Sequence, residues 1–296
     1  MPTMRVGFVL PMGEDTRPGV PATPTEILGM ARDVEAAGFD SVWTFDHLLQ
    51  VEGDDAEATG LWEGWTMLAA IAAVTDRARI GCLVTCTGFR SPGLLAKMAH
   101  TVHELSDGRL ILGVGAGWHE PEYAAFGYPF DHRVDRFAEA IEIIGAMVRT
   151  GTSTFDGTYY RTAEAPMLPA AAPGRVRPPI LIGGRGPRML GLVARHADAW
   201  NTAWFGLPGP SFEAQHERLV AACTEASRDP AEIEVSVGLY IKADDAAPEA
   251  PGIAPTRDAI AAALDAWRER GVAEVLCWAD PPTPERLAIL ASALTG

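Results

Sequence analysis

Positive charge is what this sequence has least of. Its 296 residues carry 24 Lys and Arg against 39 Asp and Glu, a formal net charge of -15. Such a surface repels nucleic acid and anionic lipid, so neither is expected as a partner. An anionic cofactor would need arginines gathered at one place. Cysteine is sparse too. Cys82, Cys86, Cys223 and Cys277 are scattered, mostly in apolar contexts, which suits reduced, buried thiols in a reducing compartment. Cys82 and Cys86 lie about 13 Å apart along one strand at ~3.3 Å per residue, too far for a disulfide or a zinc site. No apolar run approaches the ~20 residues of a membrane helix. No basic-then-apolar leader opens the chain, so a cytoplasmic protein without membrane contact is expected. HExxH, the Walker loop and the G-x-S-x-G elbow are all missing, which removes three common catalytic signatures.

What is present is a regular alternation of strand and helix signals. Hydrophobic residues make up 48% of the chain, enough for a sizeable core. Strand signals fall at Arg5 to Pro11, Ser41 to Asp46, Ile80 to Thr85, Leu110 to Gly115, Ile180 to Gly183, Ala199 to Asn201, Val235 to Ile241 and Glu274 to Trp278. A helix signal follows each. The first opens on Thr23-Pro24-x-Glu26, a capping box with Pro at the first helical position, and stops at Gly38. Residues 151 to 179 break the rhythm with a hairpin candidate turning at Asp156-Gly157 and a Pro-rich exit. Eight strand–helix units predict an α/β fold, a (β/α)8 TIM barrel with an insertion after the fourth helix, spanning 1–296 as one domain. An open doubly wound sheet is the alternative.

Barrel enzymes place their chemistry at the C-terminal strand ends. Those ends hold Asp46-His47, Thr85 to Thr87, Gly115 to Trp118, Gly183 to Gly186, Trp200-Asn201, Tyr240, Trp278 and Asp280. Glycine, aromatic and polar groups together suit a flat aromatic ligand with a phosphate tail. Asp46-His47 is the acid–base candidate, with Asp46 able to set the His47 tautomer or to bind a ring N–H; the bland reading is a capped turn with a surface histidine. Gly183, Gly184, Arg185 and Gly186 lie between a strand and a helix. There backbone N–H groups and a helix N-terminus favour an anion, with Arg185 and Arg188 adding charge. The bland reading is an ordinary tight turn. The run GVGAGW is not a dinucleotide fingerprint, since Trp118 or Glu120 stands where the third glycine belongs and no helix signal follows directly. Gly115, Ala116 and Gly117 instead suit close approach to a ring, with Trp118 as pocket wall; a glycine-rich strand exit packed for sterics explains them equally well. His119 is the rival proton-transfer group. Trp118, His119, Trp200 and Trp278, with Trp204, suggest a substrate pocket for something apolar or planar. His100 and His103 are spaced like a metal pair but lack a third ligand, and no metal is expected. Trp43 and Trp267 read as packing residues.

The segments GFVLP, Ala36 to His47, Arg79 to Ala99, Gly108 to Gly127 and Pro178 to Asn201 resemble luciferase-like monooxygenases. More narrowly they resemble the coenzyme F420-dependent oxidoreductases of actinobacteria. The resemblance implies a cofactor ring across the barrel mouth and a non-prolyl cis peptide at Leu83–Val84 backing that ring, so Leu83, Val84 and Thr85 join Asp46, the strand-four glycines and the Gly183 to Gly186 loop as cofactor-binding residues. It implies a hydride transfer between coenzyme F420 and an unknown small organic substrate, and its strand-two acid–histidine position matches Asp46-His47; of the strand-end residues His47 is expected to move the proton and Asp46 to support the cofactor. The alternatives are an FMN-dependent monooxygenase and a non-catalytic ligand-binding barrel. Deazaflavin-dependent sugar-phosphate dehydrogenases carry Glu where this chain has Trp118, so a sugar-phosphate substrate is not implied. A homodimer is implied, pairing through the helices beside strands two and three.

Overall fold

In a computed structural model the described residues are 3–14, 20–51, 57–244, 246–247 and 251–294. The polar stretch 242–255 therefore lies partly outside them. The first unit is β1 (Arg5–Val9) and α1 (Pro24–Ala36). The capping box at α1 forms as expected: the Glu26 amide donates to Thr23 Oγ1 at 3.3 Å, and the Thr23 amide donates to Glu26 Oε2 at 2.8 Å. β2 (Ser41–Thr44) is followed by a small antiparallel pair, β3 (Leu49–Gln50) with β4 (Thr59–Gly60), then α2 (Gly64–Val74). The third barrel strand comes in two pieces, β5 (Arg79–Cys82) and β6 (Thr85–Cys86), ahead of α3 (Pro92–Leu105).

The fourth unit is longer than the sequence suggests. β7 (Leu110–Gly115) leads to a short helix α4 (Glu120–Phe126) and then α5 (Arg133–Thr150). The expectation of no helix just after GVGAGW is thus corrected. Pro121 sits in the first turn, where its missing N–H costs nothing, and so starts this helix. The insertion is the expected hairpin, β8 (Thr152–Asp156) and β9 (Arg161–Pro166). It lays Phe155, Tyr160 and Met167 over Ala96, Ile143 and Met147 on α3 and α5. The remaining units are β10 (Ile180–Gly183), α6 (Pro187–His196), β11 (Ala199–Phe205), α7 (Pro210–Glu225), β12 (Glu234–Ile241), α8 (Arg257–Glu269), β13 (Glu274–Ala279) and α9 (Pro284–Leu294).

All barrel pairings are parallel, in the cyclic order β1-β2-β5-β7-β10-β11-β12-β13. β13 returns to β1 with Arg5 opposite Glu274, so the sheet closes into an eight-stranded barrel. That excludes the open doubly wound sheet. Alternation along each strand sends one set of side chains inward and the other toward the helices. The inward set is Val9, Trp43, Leu83, Ile111, Leu181, Ala199 and Leu276. Trp43 is fully buried and needs its two small neighbours: a Cβ on Gly81 would stand 2.5 Å from its ring, and one on Gly7 3.0 Å from its Nε1. The outward set, with the inner helix faces, forms the larger core, which includes Trp267. All four cysteines are buried and free. Among the described residues no helix is long and apolar enough to cross a membrane.

Candidate active site

A cavity of about 910 Å³ opens at the C-terminal strand ends, a size in the upper range of small-molecule sites. Its inner wall is a bulge. The Leu83–Val84 peptide bond is cis, as the resemblance implied, and both residues line the cavity. Val84 fits because glycines surround it. A Cβ on Gly115 would come within 2.7 Å of Val84 Cγ2, one on Gly183 within 3.1 Å of the same atom, and one on Gly113 within 2.1 Å of the Cys82 carbonyl oxygen. Gly115 and Gly183, on two neighbouring strands, thus make room for this apolar side chain, and Gly113 makes room for the backbone that leads into it.

Of the residues expected at the site, Asp46, His47, Leu83, Val84, Gly115, Ala116, Gly117, Trp118, Gly183, Gly184, Arg185 and Trp278 line this cavity. Four do not. Thr85 is buried on the outer side of its strand, where its hydroxyl accepts from Trp65 Nε1 at 3.0 Å. Trp200 also points outward, because alternation along β11 gives the inward place to Asn201. Its Nε1 donates to the Gly184 carbonyl at 2.8 Å, so it braces the glycine loop instead of lining a substrate pocket. Gly186 is the N-cap of α6 behind the loop. His119 is buried, and its Nε2 accepts the Val51 amide at 3.1 Å, which leaves that nitrogen no role in proton transfer.

The pairing of Asp46 with His47 is corrected as well. Both Asp46 oxygens are held by Arg90 at 2.7 Å, and one also accepts the Cys86 amide at 2.8 Å. Burial pushes the Asp46 carboxyl up, with Arg90 and the Cys86 amide pulling against it. Burial also works against the Arg90 charge, but Asp46 and Glu63 more than offset it, so the guanidinium holds its proton more tightly than usual. Asp46 is the anchor of the β6 bulge.

The partner of His47 is Glu122, which the sequence reading did not single out. His47 Nδ1 lies 3.0 Å from Glu122 Oε1, and Glu122 Oε2 accepts the Leu48 amide at 2.9 Å. The side chain of Glu122 is 2% exposed and that of His47 17%. A buried carboxylate at Nδ1 favours the tautomer with its proton there and leaves Nε2 as the acceptor nitrogen of the ring. The Trp118 and His119 rings lie 5.6 and 6.1 Å from the His47 ring.

Charge is unevenly placed around the cavity. Arg185 and Arg133 are its only lining cations among the described residues, and neither forms an ion pair there. Arg188, expected to help at the loop, instead pairs with Asp135. Among the described residues no cluster of His, Cys, Asp or Glu could hold a metal ion. His100 Nε2 and His103 Nε2 bond to the Pro169 and Val176 carbonyl oxygens of the insertion's exit, at 2.9 and 2.8 Å.

A closed barrel with a bulged third strand, a glycine-lined wall and a carboxylate-held histidine places a candidate active site at the C-terminal mouth, where barrel enzymes carry their chemistry. The family model for luciferase-like monooxygenases matches residues 4–274, and the chain belongs to that family, and so to the oxidoreductases. The chain is similar, at 32% identity over 79% of its length, to a phthiodiolone/phenolphthiodiolone dimycocerosates ketoreductase of Mycobacterium sp. (strain JLS), and the match spans 66% of that relative. It is 31% identical to an F420-dependent glucose-6-phosphate dehydrogenase of Beutenbergia cavernae, over 90% of this chain and 76% of the relative. Among solved structures, an F420-dependent secondary alcohol dehydrogenase in complex with an F420-acetone adduct superposes with a TM-score of 0.79 at 18% identity, over 98% of each chain.

Proposed function

We propose that this protein is an F420-dependent oxidoreductase that moves a hydride between the deazaflavin and a small organic alcohol or carbonyl compound. The observation that carries the reading is the Val84 wall. An apolar side chain framed by Gly115 and Gly183 offers a flat face to a planar ring, and a histidine whose Nδ1 alone is tied to a carboxylate lines the same cavity. Arg185 and the N-terminus of α6 would hold the cofactor's phosphate, an anionic group that an acidic protein must accommodate locally. When bound, the deazaflavin supplies a ring carbon that accepts or gives a hydride.

The chain's own residues do the rest. In the oxidising direction His47 Nε2 takes the proton from the substrate hydroxyl as the hydride leaves the adjacent carbon; in the reducing direction it gives that proton to the carbonyl oxygen. Glu122 holds the ring and offsets the positive charge that His47 gains. Trp118, 65% exposed at the rim, and Phe45, Trp204 and Trp278 inside limit water around the reacting carbon.

Fluorescence-quenching titrations with F420 and FMN test the assignment. Tighter binding of F420 is expected. FMN binding tenfold more tightly would move the protein to the flavin-dependent branch, and binding of neither would make it a non-catalytic barrel.

A further inference from the structure

The cavity is polarised across the barrel. In the cyclic strand order, β7 and β10 sit diametrically opposite β13 and β1. Arg133, at the start of the helix that follows the β7 segment, and Arg185, after β10, are on one side. Asp280 after β13 and Glu14 after β1 are on the other, with Glu57 from the excursion after β2, while the other two lining carboxylates, Asp46 and Glu122, are taken up by Arg90 and His47. The Val84 wall on the third barrel strand flanks the cationic side, through its packing against Gly115 and Gly183. Where the cofactor phosphate meets the arginines, the acidic half is left for the substrate.

That half is also aromatic. The Phe45 ring lies 5.0 Å from the Trp278 ring and 6.2 Å from the Trp204 ring, both edge-on. Trp204 has its place because β12 offers Gly238, where a Cβ would stand 2.4 Å from the indole. Tyr240 donates its hydroxyl proton to Asp280 Oδ2 at 2.7 Å, so the Asp280 carboxylate is oriented at the edge of this enclosure. Glu14 is fixed similarly, accepting the Gly60 amide at 2.7 Å.

We infer that the substrate lobe takes a planar aromatic alcohol or carbonyl compound that bears no negative charge, with Asp280 as the residue that selects against anions and for a basic nitrogen. The inference rests on the oxidoreductase reading above and narrows its substrate class. An anionic substrate, a sugar phosphate included, would have to reach the acidic half past rings and carboxylates with no cation among the described lining residues of that half to meet it, and juxtaposed like charges cost affinity. A cationic substrate gains from the ring faces and from the carboxylates together. The chain is 31% identical to a glucose-6-phosphate dehydrogenase, yet its substrate lobe has the wrong sign for that substrate.

Three indoles of near-equal shape and different charge test this on the full-length protein: tryptamine, tryptophol and indole-3-acetate. Binding is read by calorimetry, with and without F420 present. The expected result is tryptamine binding at least about tenfold more tightly than indole-3-acetate, a gap of about 1.4 kcal/mol, with tryptophol between them and glucose 6-phosphate failing to displace tryptamine. Asp280→Asn should shrink the tryptamine to indole-3-acetate ratio several-fold while tryptophol changes less than twofold. Indole-3-acetate binding as tightly as tryptamine, displacement by glucose 6-phosphate, no binding of any indole at millimolar concentration, or an unchanged ratio in Asp280→Asn overturns the inference. The cofactor titration is read separately: loss of F420 binding with the charge order intact overturns the cofactor reading alone.

Discussion

One hydrogen bond each distinguishes the two histidines at the barrel mouth. His47 and His119 lie within 6.1 Å of each other, ring to ring, but one is tied to a carboxylate and the other to a backbone amide. His47→Asn should lower turnover by ~10²-fold or more, the usual range for a lost general acid or base. Glu122→Gln should lower it by about tenfold and leave KM nearly unchanged, because the ring loses its charge partner while the pocket keeps its shape. Steady-state kinetics on any accepted substrate measures both, and full turnover in His47→Asn would end the assignment. His47 was legible in the sequence as a histidine at a strand end. Glu122 was not, because nothing in a linear reading brings position 122 back to position 47 until the short helix α4 is known to turn it under the mouth. Asp46 misled for the complementary reason: sequence adjacency suggested a pair, whereas consecutive residues leaving a strand point to different sides, and Arg90, from beyond the bulge, claimed the carboxylate.

At the scale of elements, glycine position separates helix economy from strand architecture. Gly29 lies inside α1 with nothing within 4 Å of the Cβ it lacks, whereas Gly113 in β7 would drive a Cβ to 2.1 Å from the Cys82 carbonyl oxygen. Gly29→Ala should therefore stabilise the fold by about 0.5–1 kcal/mol through helix propensity. Gly113→Ala should destabilise it by about 1–3 kcal/mol, the cost of overpacking a tight core. Urea unfolding of the two variants beside the parent checks the opposite signs, and equal shifts would mean the bulge tolerates repacking. Strands were readable from their apolar runs and the first helix from its cap, as β7 and β10 show by ending where their signals end and α1 by starting at its capping box. The pair β3 and β4 was not, since two-residue strands carry no period to detect. The outward turn of Trp200 and Thr85 was hidden for a related reason: inward and outward places follow from register, which depends on pairing partners distant in sequence.

The whole molecule presents one surface that its composition makes unusual. In a chain so rich in acidic residues, α2 (GWTMLAAIAAV) has no charged side chain and shows Thr66 and Ala73 to solvent, and α3, packed against it, exposes Leu94. Helices facing water normally carry charge on that side. We expect a homodimer formed through this face, read by light scattering as twice the monomer mass, with Ala73→Glu reverting it to a monomer; a monomer at micromolar concentration in the parent protein would remove the expectation. The closure of β13 onto β1 bears on how the molecule comes into being. The strand that completes the ring emerges from the ribosome last, some 270 residues after the strand it must join. Until then β1 and β12 are bare sheet edges of the kind that invite aggregation. Synthesis of this protein is therefore a race between release of its last strand and the capture of its first by something else, and a nascent chain halted before Glu274 has neither a finished ring nor a place for a cofactor to seat.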